Sequence, residues 1–490
     1  MNEALGAIKT TFGARSDVGR VRQLNEDSYL VDPKMQLFIV CDGMGGHAGG
    51  EIASATAVSV AHEVLSSEAE RLRQFDGEDQ AERIAILRLT ERAIQTACRR
   101  IYERAQRNPE ERGMGTTLTL ILFKGGRAFI GHVGDSRAYL YRNNSIHQLT
   151  EDHSLIADML KSGRIRSIHE VDPAFRNAVT RAVGVHPTVE VDTLDLPILP
   201  GDRFLLCSDG LTGYADLKTL LDFMTRFPNE EACCDRLISF ANDAGGADNI
   251  TVVMPTVTET DTDDSRTERI LEIASNLTLF RYLNHAELMR VMAIASERKI
   301  PQGQPVFIHG ELGDEAFVIL QGRVQIRSAN VVIALLEEGR HFGEMSLVDN
   351  KPRAADAVAV EDCRLLVLSR GAFHDLMRRN PVFAVKMLWS FVKAMTGRLR
   401  YTTNELSLVK SLFQATNPDE ADKLPAAWLP PDALTTLARK AKGPRTSDSI
   451  ASVRPPPIPV SAKPGDTATT VADGTTEPST DADVPTTEST

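Results

Sequence analysis

The sequence predicts an α+β fold in which long helices pack on the faces of a largely antiparallel sheet system. Two observations lead to this class. Residues 115–150 contain β-rich runs separated by turn pairs such as Gly125-Gly126 and Asn143-Asn144, which is typical of a strand meander. The stretches 51–75 and 81–108 place apolar residues at helical spacing instead.

The composition divides the 490 residues into four regions. We expect a first folded domain over residues 10–257 and a second over residues 269–412. Between them, residues 258–268 contain hardly any apolar side chain and are expected to form a linker. Pro, Thr, Ser, Asp and Ala dominate residues 413–490, so we expect this region to be a disordered tail.

Charge and hydropathy exclude several classes of protein. The formal net charge is −12 and no basic stripe stands out, which argues against nucleic acid as a partner. No signal peptide is visible, and no apolar stretch approaches the roughly 18 residues of a membrane span. The cysteines follow neither disulfide-framework nor metal-site spacing, so we expect reduced thiols in a cytoplasmic protein. They are Cys41, Cys98, Cys207, Cys233, Cys234 and Cys363.

Acidic residues recur in one setting, at the end of an apolar run and beside small residues. Clustered carboxylates repel one another unless cations neutralise them, and hard divalent cations prefer oxygen ligands. An Asp-Gly pair is also the commonest turn, which would account for any one of these positions taken singly. Taken together, they predict a site for Mg²⁺ or Mn²⁺. The positions are Glu26, Asp27, Asp42, Asp135, Asp209 and Asp248.

The first domain carries an ordered series of short motifs. They are "SDVG" at Ser16, "NEDS" at Asn25, "DGMGGH" at Asp42, "GTT" at Gly115, "GDSR" at Gly134, "TEDHS" at Thr150, "TRAVG" at Thr180, "CSDGL" at Cys207 and "DNIT" at Asp248. On these motifs the domain resembles the PPM (type 2C) metal-dependent Ser/Thr protein phosphatases in their bacterial form. The resemblance implies a central antiparallel β-sandwich flanked by helices, with two or three metal ions at one end.

The resemblance also implies a role for each acidic residue. Asp42 corresponds to the carboxylate that bridges two ions, and the Gly43 carbonyl completes one coordination shell. The other implied ligands are Asp209 and Asp248 for the first ion, Glu26 and Asp27 near the second, and Asp135 with Asp209 for a weaker third ion.

The same resemblance implies that a hydroxide shared by two ions attacks phosphoserine or phosphothreonine in line. Arg22 corresponds to the residue that holds the substrate phosphate, and His47 to the general acid. Residues 153–180 correspond to a flap beside the active site, and their charged middle favours a surface loop that helps to select substrates. The implied substrates are phosphoproteins modified by bacterial Ser/Thr kinases.

In the second domain, one amphipathic helix is predicted over residues 269–300, and short strands punctuated by glycines follow it. A short helix is then predicted to begin at Gly343 and Glu344, with Arg353 nine residues beyond the glutamate. Amides at a helix start and a nearby guanidinium suit a phosphate, and a glutamate can accept from a sugar hydroxyl.

These residues resemble the phosphate-binding cassette of a cyclic nucleotide-binding domain, a small β-barrel. The resemblance implies cAMP rather than cGMP, because Ala354 stands where cGMP-selective members carry Thr or Ser. Residues 381–413 are predicted to form one long helix. Its "RLRYTTNEL" is similar to the C-terminal helix of bacterial cAMP-receptor regulators, in which Thr402 and Thr403 would approach the adenine.

That similarity also implies a homodimer through the long helix, although an ordinary amphipathic helix closing the barrel explains the pattern almost as well. The sequence therefore predicts a protein Ser/Thr phosphatase regulated by a cyclic nucleotide, with the linker and the opening helix carrying the signal between the domains. Two alternatives remain. One is an inactive phosphatase-like scaffold that senses a nucleotide, and the other is an active phosphatase with a ligand-free barrel.

Overall fold

The computed structural model describes residues 8–45, 49–77, 79–167, 170–172, 175, 178–260, 264–328 and 331–416. By its internal packing the chain divides into a unit Met1–Thr402 and a unit Thr403–Thr490. Except for the end of one helix, everything described below belongs to the first unit. Within the described ranges, no helix is long and apolar enough to cross a membrane.

Two antiparallel sheets form the centre of the first domain. The first has the order β1-β11-β10-β7-β8 and the second the order β2-β3-β5-β6-β9, with β4 pairing to β3. The strands of the first sheet are β1 (Lys9–Asp17), β7 (Arg137–Arg142), β8 (Ser145–Gln148), β10 (Arg203–Cys207) and β11 (Ile250–Glu259). Those of the second are β2 (Asp27–Asp32), β3 (Leu37–Met44), β4 (Gly115–Thr116), β5 (Leu118–Lys124), β6 (Arg127–Val133) and β9 (Asp192–Pro197).

Alternation along the strands explains why the two sheets stack. In β5, Leu118, Leu120 and Leu122 point toward the helices, whereas Ile121 and Phe123 lie between the sheets. The Phe123 ring meets Phe204 of the opposite sheet at a centroid distance of 5.1 Å. Both faces of the strand are apolar, so one packs against the opposite sheet and the other against the helices, and this packing stabilises the sandwich.

Helices cover the two outer faces. Over the second sheet lie α1 (Gly49–Ser66), α2 (Ala69–Arg73) and α3 (Gln80–Arg107), and over the first lie α5 (Asp209–Thr212), α6 (Leu217–Arg226) and α7 (Glu230–Asp243). Side-chain caps at Asp79, Asp216 and Asn229 begin α3, α6 and α7. A further short helix, α4 (Leu155–Lys161), follows β8. The predicted α+β class with a helix-flanked sandwich is confirmed.

The predicted continuous meander over residues 115–150 is wrong in one respect. Strands β6 and β7 belong to different sheets, and the chain crosses between them at Gly134–Ser136. Gly134 has a φ of 111°, and a Cβ there would lie 2.5 Å from Cγ2 of Thr117. The turn therefore requires glycine, and it leaves Asp135 where the two sheets meet.

The second domain opens with two helices rather than the single predicted one. These are α8 (Asp264–Asn276) and α9 (His285–Ile294), and the predicted C-terminal part of the helix is instead strand β12 (Ser296–Ile300). A capping box restarts the helix, because Asn284 accepts from the Glu287 amide and the Glu287 side chain accepts from the Asn284 amide. Apolar spacing alone did not reveal this interruption.

The barrel consists of two four-stranded sheets with the orders β12-β19-β14-β17 and β13-β18-β15-β16. The strands after β12 are β13 (Pro305–Phe307), β14 (Glu315–Gln321), β15 (Val324–Ser328), β16 (Val331–Leu336), β17 (His341–Phe342), β18 (Asp356–Ala359) and β19 (Cys363–Ser369). Between β17 and β18 lies α10 (Met345–Val348), and after β19 come α11 (Arg370–Arg379) and the long helix α12 (Pro381–Thr416). The long helix was predicted from the sequence.

The two domains lie directly against each other. Strand β11 continues to Glu259 and α8 begins at Asp264, so regular structure occupies both ends of the predicted linker. Helix α9 packs on β9, and apolar residues of both domains form one continuous core that includes Leu194, Leu196, Leu288 and Met292. The predicted tail begins too early, because residues 413–416 belong to α12, and the residues from 417 onward lie outside the described part of the chain.

Candidate active site and nucleotide pocket

A pocket of about 260 Å³ lies at one end of the sandwich. Five of the six predicted acidic residues line it, and each is near a strand end, where chain reversals bring the two sheets together. The lining consists of Glu26, Asp42, Asp135, Asp209 and Asp248 with Arg22, Gly43, Met44, Gly45, Thr117 and Val179. Residues that are far apart in the sequence therefore converge as predicted.

Asp27 is the predicted acid that does not line the pocket. It faces Asp42 across the β2–β3 ladder and is only 8% exposed. The Ser208 hydroxyl donates to one of its carboxylate oxygens at 2.8 Å, and the other has no hydrogen-bond partner among the described residues. Burial, reinforced by the charge of Asp209, raises the pKa of Asp27 to about 7. Asp27 thus lies behind the pocket wall.

Thr117 holds Asp42 in place, a role that the sequence did not reveal. The Asp42 amide donates to the Thr117 hydroxyl oxygen at 2.8 Å, and the Thr117 amide donates to the Asp42 carbonyl at 2.9 Å. The same hydroxyl lies 2.7 Å from that of Ser136. Thr117 therefore links the Asp42 backbone to the turn that carries Asp135. The "GTT" motif was recognised in the sequence, but a threonine alone does not indicate that its side chain will bond to the backbone of a distant residue.

Asn249 organises the segment that carries Arg22 and Glu26. Its amide nitrogen donates to the carbonyls of Val18 and Leu24, both at 2.9 Å, and its amide oxygen accepts from the Glu26 amide at 2.8 Å. Asn249 is buried and adjoins Asp248. In "DNIT" the aspartate was chosen as the functional residue, yet the asparagine determines where two pocket residues lie.

Two glycines are required because three backbone segments meet at the pocket floor. A Cβ on Gly43 would lie 2.2 Å from the Gly50 carbonyl oxygen, and one on Gly50 would lie 2.5 Å from Oε1 of Glu26. Neither distance is tolerable, so any side chain would displace Glu26 or separate β3 from α1. The glycines in this loop therefore allow close packing around the acids.

Burial and mutual repulsion raise the pKa values of several acids in the pocket. Burial and the charges of Asp27, Asp209 and other neighbours raise the pKa of Asp42 well above its ordinary value. Burial and the charge of Asp209 raise that of Asp135 to about 7. Glu26, Asp27 and Asp209 each have a buried carboxylate oxygen to which no residue in the described part of the chain donates a hydrogen bond. Such oxygens suit a hard divalent cation.

As the side chains stand, no three acidic, His or Cys groups among the described residues are close enough to hold one ion by themselves. Magnesium-type ions usually bind through one or two carboxylates and keep several waters, so the donor set fits ions that are partly hydrated. A backbone carbonyl such as that of Gly43 would add a further oxygen.

Arg22 is the only lysine or arginine among the described residues that line the pocket. Its Nη2 donates to Asp248 at 2.8 Å, and its Nη1 lies 3.9 Å from a Glu26 oxygen. Its side chain is 47% exposed, so part of the guanidinium faces solvent. Although burial opposes the shift, these carboxylates raise the pKa of Arg22. Arg22 therefore pairs with two of the acids and still presents part of its charge to solvent.

Of the remaining predicted active-site features, His47 lies outside the described residues. The flap begins and ends beside the pocket, because Ser154 pairs with Val179 and the Leu155 amide donates to the Ala178 carbonyl at 2.9 Å. The predicted surface loop contains helix α4 and a small apolar cluster of Ile156, Ile165 and Val171. The flap is therefore partly ordered by its own packing.

In the barrel, Arg353 is buried and anchored by three uncharged acceptors. Its guanidinium donates to the Ser346 hydroxyl at 2.8 Å and to the carbonyls of Glu315 and Gly343 at 2.9 and 3.3 Å. It also lies 4.1 Å from the centre of the Phe307 ring. Burial lowers the pKa of Arg353, which remains a cation at neutral pH.

Glu344 is almost fully buried at the start of α10, and one of its oxygens accepts no hydrogen bond from the residues that the structure describes. The other accepts from Arg398 of α12, a contact that the sequence did not reveal. Gly343 has a φ of 73°, and a Cβ there would lie 2.9 Å from Nη1 of Arg353. Gly343, Glu344 and Arg353 are thus brought together as predicted.

The other residues predicted to contact the nucleotide are Ala354, Thr402 and Thr403. Ala354 follows Arg353 and is exposed. Thr402 and Thr403 lie on α12, the first exposed and the second partly buried. Their predicted approach to an adenine stays a prediction.

Comparison with known proteins gives a consistent result. Residues 19–242 match the protein phosphatase 2C family, and residues 297–380 match the cyclic nucleotide-binding domain. The serine/threonine phosphatase Stp of Listeria welshimeri is 37% identical over 243 residues, which cover 49% of this chain and 93% of that protein. The protein phosphatase PhpP of Streptococcus pneumoniae is 32% identical over 251 residues, or 51% of this chain and 98% of that protein.

Among solved structures, the catalytic domain of the phosphatase PstP in complex with two manganese ions is 34% identical. The alignment covers 52% of this chain and all of that one, with a TM-score of 0.44. The match to Stp extends over nearly the whole of that phosphatase, and the nucleotide-binding match lies C-terminal to it in this chain. This chain therefore belongs to the protein phosphatase 2C (PPM) family of Ser/Thr phosphatases and carries a C-terminal cyclic nucleotide-binding domain.

Proposed function

We propose that this chain is a metal-dependent protein phosphatase that hydrolyses phosphoserine and phosphothreonine, and that a cyclic nucleotide bound to its second domain biases this activity. The observation that carries the catalytic part is the convergence of five acidic side chains and Arg22 on one pocket. A purely structural role does not account for carboxylates with raised pKa values and unpartnered oxygens, because burying them costs stability.

Two or three Mn²⁺ or Mg²⁺ ions, when bound, would neutralise the carboxylates and activate a water toward phosphorus. Asp42 would contribute to both principal ions, as its correspondence to the family's bridging carboxylate implies. Asp209 and Asp248 would hold the first, and Glu26 with the Gly43 carbonyl the second. Asp135 would serve a weaker third ion. Asp27 would act from behind Asp42 through water or hydrogen bonds, since it is buried outside the pocket.

Arg22 would bind the substrate phosphate through the donors that Asp248 does not occupy. Its guanidinium can donate to two phosphate oxygens at once, which orients phosphorus and stabilises charge as the bond to the serine or threonine oxygen breaks. Thr117 and Asn249 would maintain the positions of Asp42 and Arg22. His47 remains our candidate for protonating the leaving oxygen.

The substrates would be phosphoproteins, the targets of bacterial Ser/Thr kinases, in the cytoplasm. All six cysteines are buried and unpaired, which suits a reducing compartment. The pocket lies at the surface between the two sheets and adjoins the flap, so a phosphorylated side chain on a larger protein could enter it.

In the second domain, Arg353 would bind the cyclic phosphate and Glu344 a ribose hydroxyl. Both are buried, and their spare hydrogen-bonding atoms suit an anionic sugar ligand better than an apolar one. We propose cAMP rather than cGMP, because Ala354 offers no hydroxyl to a guanine. An inactive scaffold that senses a nucleotide and an active phosphatase with an empty barrel are the competing functions.

We also propose that α12 pairs with its copy in a homodimer. Apolar or small residues recur along it at alternating spacings of three and four, the seam of a two-stranded coiled coil. Four of them, Val385, Leu388, Val392 and Leu399, are between 49% and 68% exposed. Met395 and Thr402 complete the seam. A twin helix of the same period would cover it.

Catalysis is tested by release of phosphate from a phosphothreonine peptide in the presence of Mn²⁺. We expect Asp42→Asn to lower the rate by about 100-fold or more, because it removes a charge that both ions share. Asp32→Asn, a matched change in an acid bonded to His62 outside the pocket, should retain activity. A wild-type protein that released no phosphate would favour the scaffold.

The pH dependence of stability tests the carboxylate cluster. With a chelator present, Asp27 and Asp135 hold protons up to about pH 7 when folded but only to about pH 4 when unfolded. Their contribution to the free energy of unfolding should therefore fall as the pH rises through this interval, by about 1.4 kcal/mol for each unit of pKa shift. Thermal unfolding at several pH values measures it.

Buried His132 and His285 act in the opposite direction, since their pKa values are lowered by burial. The comparison is therefore between wild type and Asp42→Asn, in which the histidine contribution cancels. We expect a smaller loss of stability with rising pH in the variant, and reversal of the wild-type loss by Mn²⁺. Equal slopes for both proteins would contradict the proposed cluster.

Nucleotide binding is tested by calorimetric titration of cAMP and cGMP. We expect cAMP to bind more tightly, and Arg353→Lys to weaken it about 10- to 100-fold by removing a bidentate, charge-assisted contact. Ala354→Thr should shift preference toward cGMP. Arg323→Lys, an exposed change on the same barrel, serves as the control. If neither nucleotide bound to the wild-type protein, the alternative of a phosphatase with a ligand-free barrel would be favoured.

Dimerisation is tested by sedimentation. We expect Leu399→Glu to convert a dimer to a monomer, because it places charge in the apolar seam, whereas Arg400→Glu on the neighbouring exposed position should leave the dimer intact. A monomeric wild-type protein at micromolar concentration would reject the proposed pairing.

A further inference from the structure

Glu151 is contacted by both domains at once. It lies between β8 and α4, in the segment that leads into the flap. One carboxylate oxygen accepts from Nη1 of Arg290 on α9 at 2.8 Å and from the side-chain amide nitrogen of Asn380 at 3.4 Å. The other accepts from Lys161, the last residue of α4. A single carboxylate therefore connects the second domain to the first helix of the flap.

These contacts are partly shielded from water. The Glu151 side chain is 31% exposed and that of Arg290 only 16%. Although burial opposes the shift, the charges of Arg290 and Lys161 lower the pKa of Glu151 to about 2. The contact is therefore fully charged at physiological pH, and it is worth more than an exposed ion pair.

The residues that follow Glu151 support the metal-site turn. Asp152 accepts from Arg137 through both oxygens, the shortest contact being 2.6 Å. The His153 ring accepts from the Gly134 amide at 3.1 Å, and the His153 amide donates to the Gly134 carbonyl at 2.8 Å. The segment with Glu151 thus holds the turn that carries Asp135 on one side and leads into the flap on the other.

Helix α9 provides a fixed base for Arg290. At its C-terminal end, Arg83 donates to the Ala293 carbonyl at 2.7 Å, and Gln80 to the Ile294 carbonyl at 3.2 Å. At its N-terminal end, the His285 ring stacks on His147 with centroids 4.0 Å apart. Both ends of α9 are therefore attached to the phosphatase domain, so the helix that carries Arg290 cannot shift without breaking these contacts.

We propose that Glu151 is a positioning residue through which the second domain holds the flap of the active site in place for protein substrates. Lys161 fixes the far end of α4, and the returning flap residue Val179 lines the acidic pocket. A small aryl phosphate would need only the pocket itself, of which Val179 is one lining residue, whereas a phosphopeptide would extend across the flap. The expected effect on substrate kinetics rests on the proposed phosphatase function, whereas the expected effect on the order of α4 does not.

The first measurement is hydrogen exchange of the α4 amides, residues 155–161, in the full-length protein. We expect Arg290→Ala and Glu151→Gln each to speed their exchange about tenfold, as loss of a charge-assisted contact predicts. Arg290→Lys should largely restore protection, because the charge returns. Arg323→Ala removes an exposed arginine–glutamate pair on the barrel and should change nothing in α4.

The second measurement compares two substrates. For Arg290→Ala we expect KM for a phosphothreonine peptide to rise about three- to tenfold, while kcat for p-nitrophenyl phosphate stays within about twofold of wild type. Unchanged exchange in α4 for both Arg290→Ala and Glu151→Gln would overturn the proposal, as would an equal loss on both substrates. If wild type released no phosphate, the proposed function would fail, and the exchange comparison would still decide the role of Glu151.

Discussion

The mutual repulsion of the carboxylates at one end of the sandwich is the constraint on which the rest of the site depends. Two like charges about 4 Å apart cost on the order of 4 kcal/mol at a protein-like dielectric, whereas one hydrogen bond contributes about 1 kcal/mol. No single contact can therefore hold the acids together. The protein instead fixes the backbone beneath them, through Thr117 under Asp42 and Asn249 under Glu26. The two sheets provide the rigidity, and cations would remove the remaining repulsion.

The nucleotide pocket reverses this arrangement of charge. Arg353 is held by a hydroxyl and two carbonyls, and among the described residues no carboxylate hydrogen-bonds to it. Its positive charge is therefore available to an anion. Glu344, by contrast, already accepts from Arg398. A ligand could use the other Glu344 oxygen beside Arg398, so the phosphate end of the pocket is preformed and the sugar end adjoins a residue bonded to α12.

Much of this could be predicted from the sequence, and what could not has a common physical cause. Asp42, Asp135, Asp209 and Asp248 were identifiable because acids beside small residues recur next to apolar runs along the chain. Thr117 and Asn249 were missed because they act through backbone hydrogen bonds, and such bonds depend on which segments fold together. The break between α8 and α9 was missed for a similar reason: apolar spacing continues across it, and only the Asn284 capping box marks the restart.

The relation between the domains was the least predictable feature, and it limits how the proposed regulation could work. A polar stretch around residue 260 favoured a linker, yet the domains share one apolar core and a partly buried hydrogen bond from Arg83 to the Ala293 carbonyl. Domains attached in this way do not communicate by changing their separation. A nucleotide could influence catalysis only by altering the packing of α9 or α12 against neighbours already in contact. Typical couplings amount to about 1–3 kcal/mol, which is the scale of one partly buried ion pair such as Arg290–Glu151. A change at a single contact of this kind is therefore large enough to account for regulation without any rearrangement of the two folds.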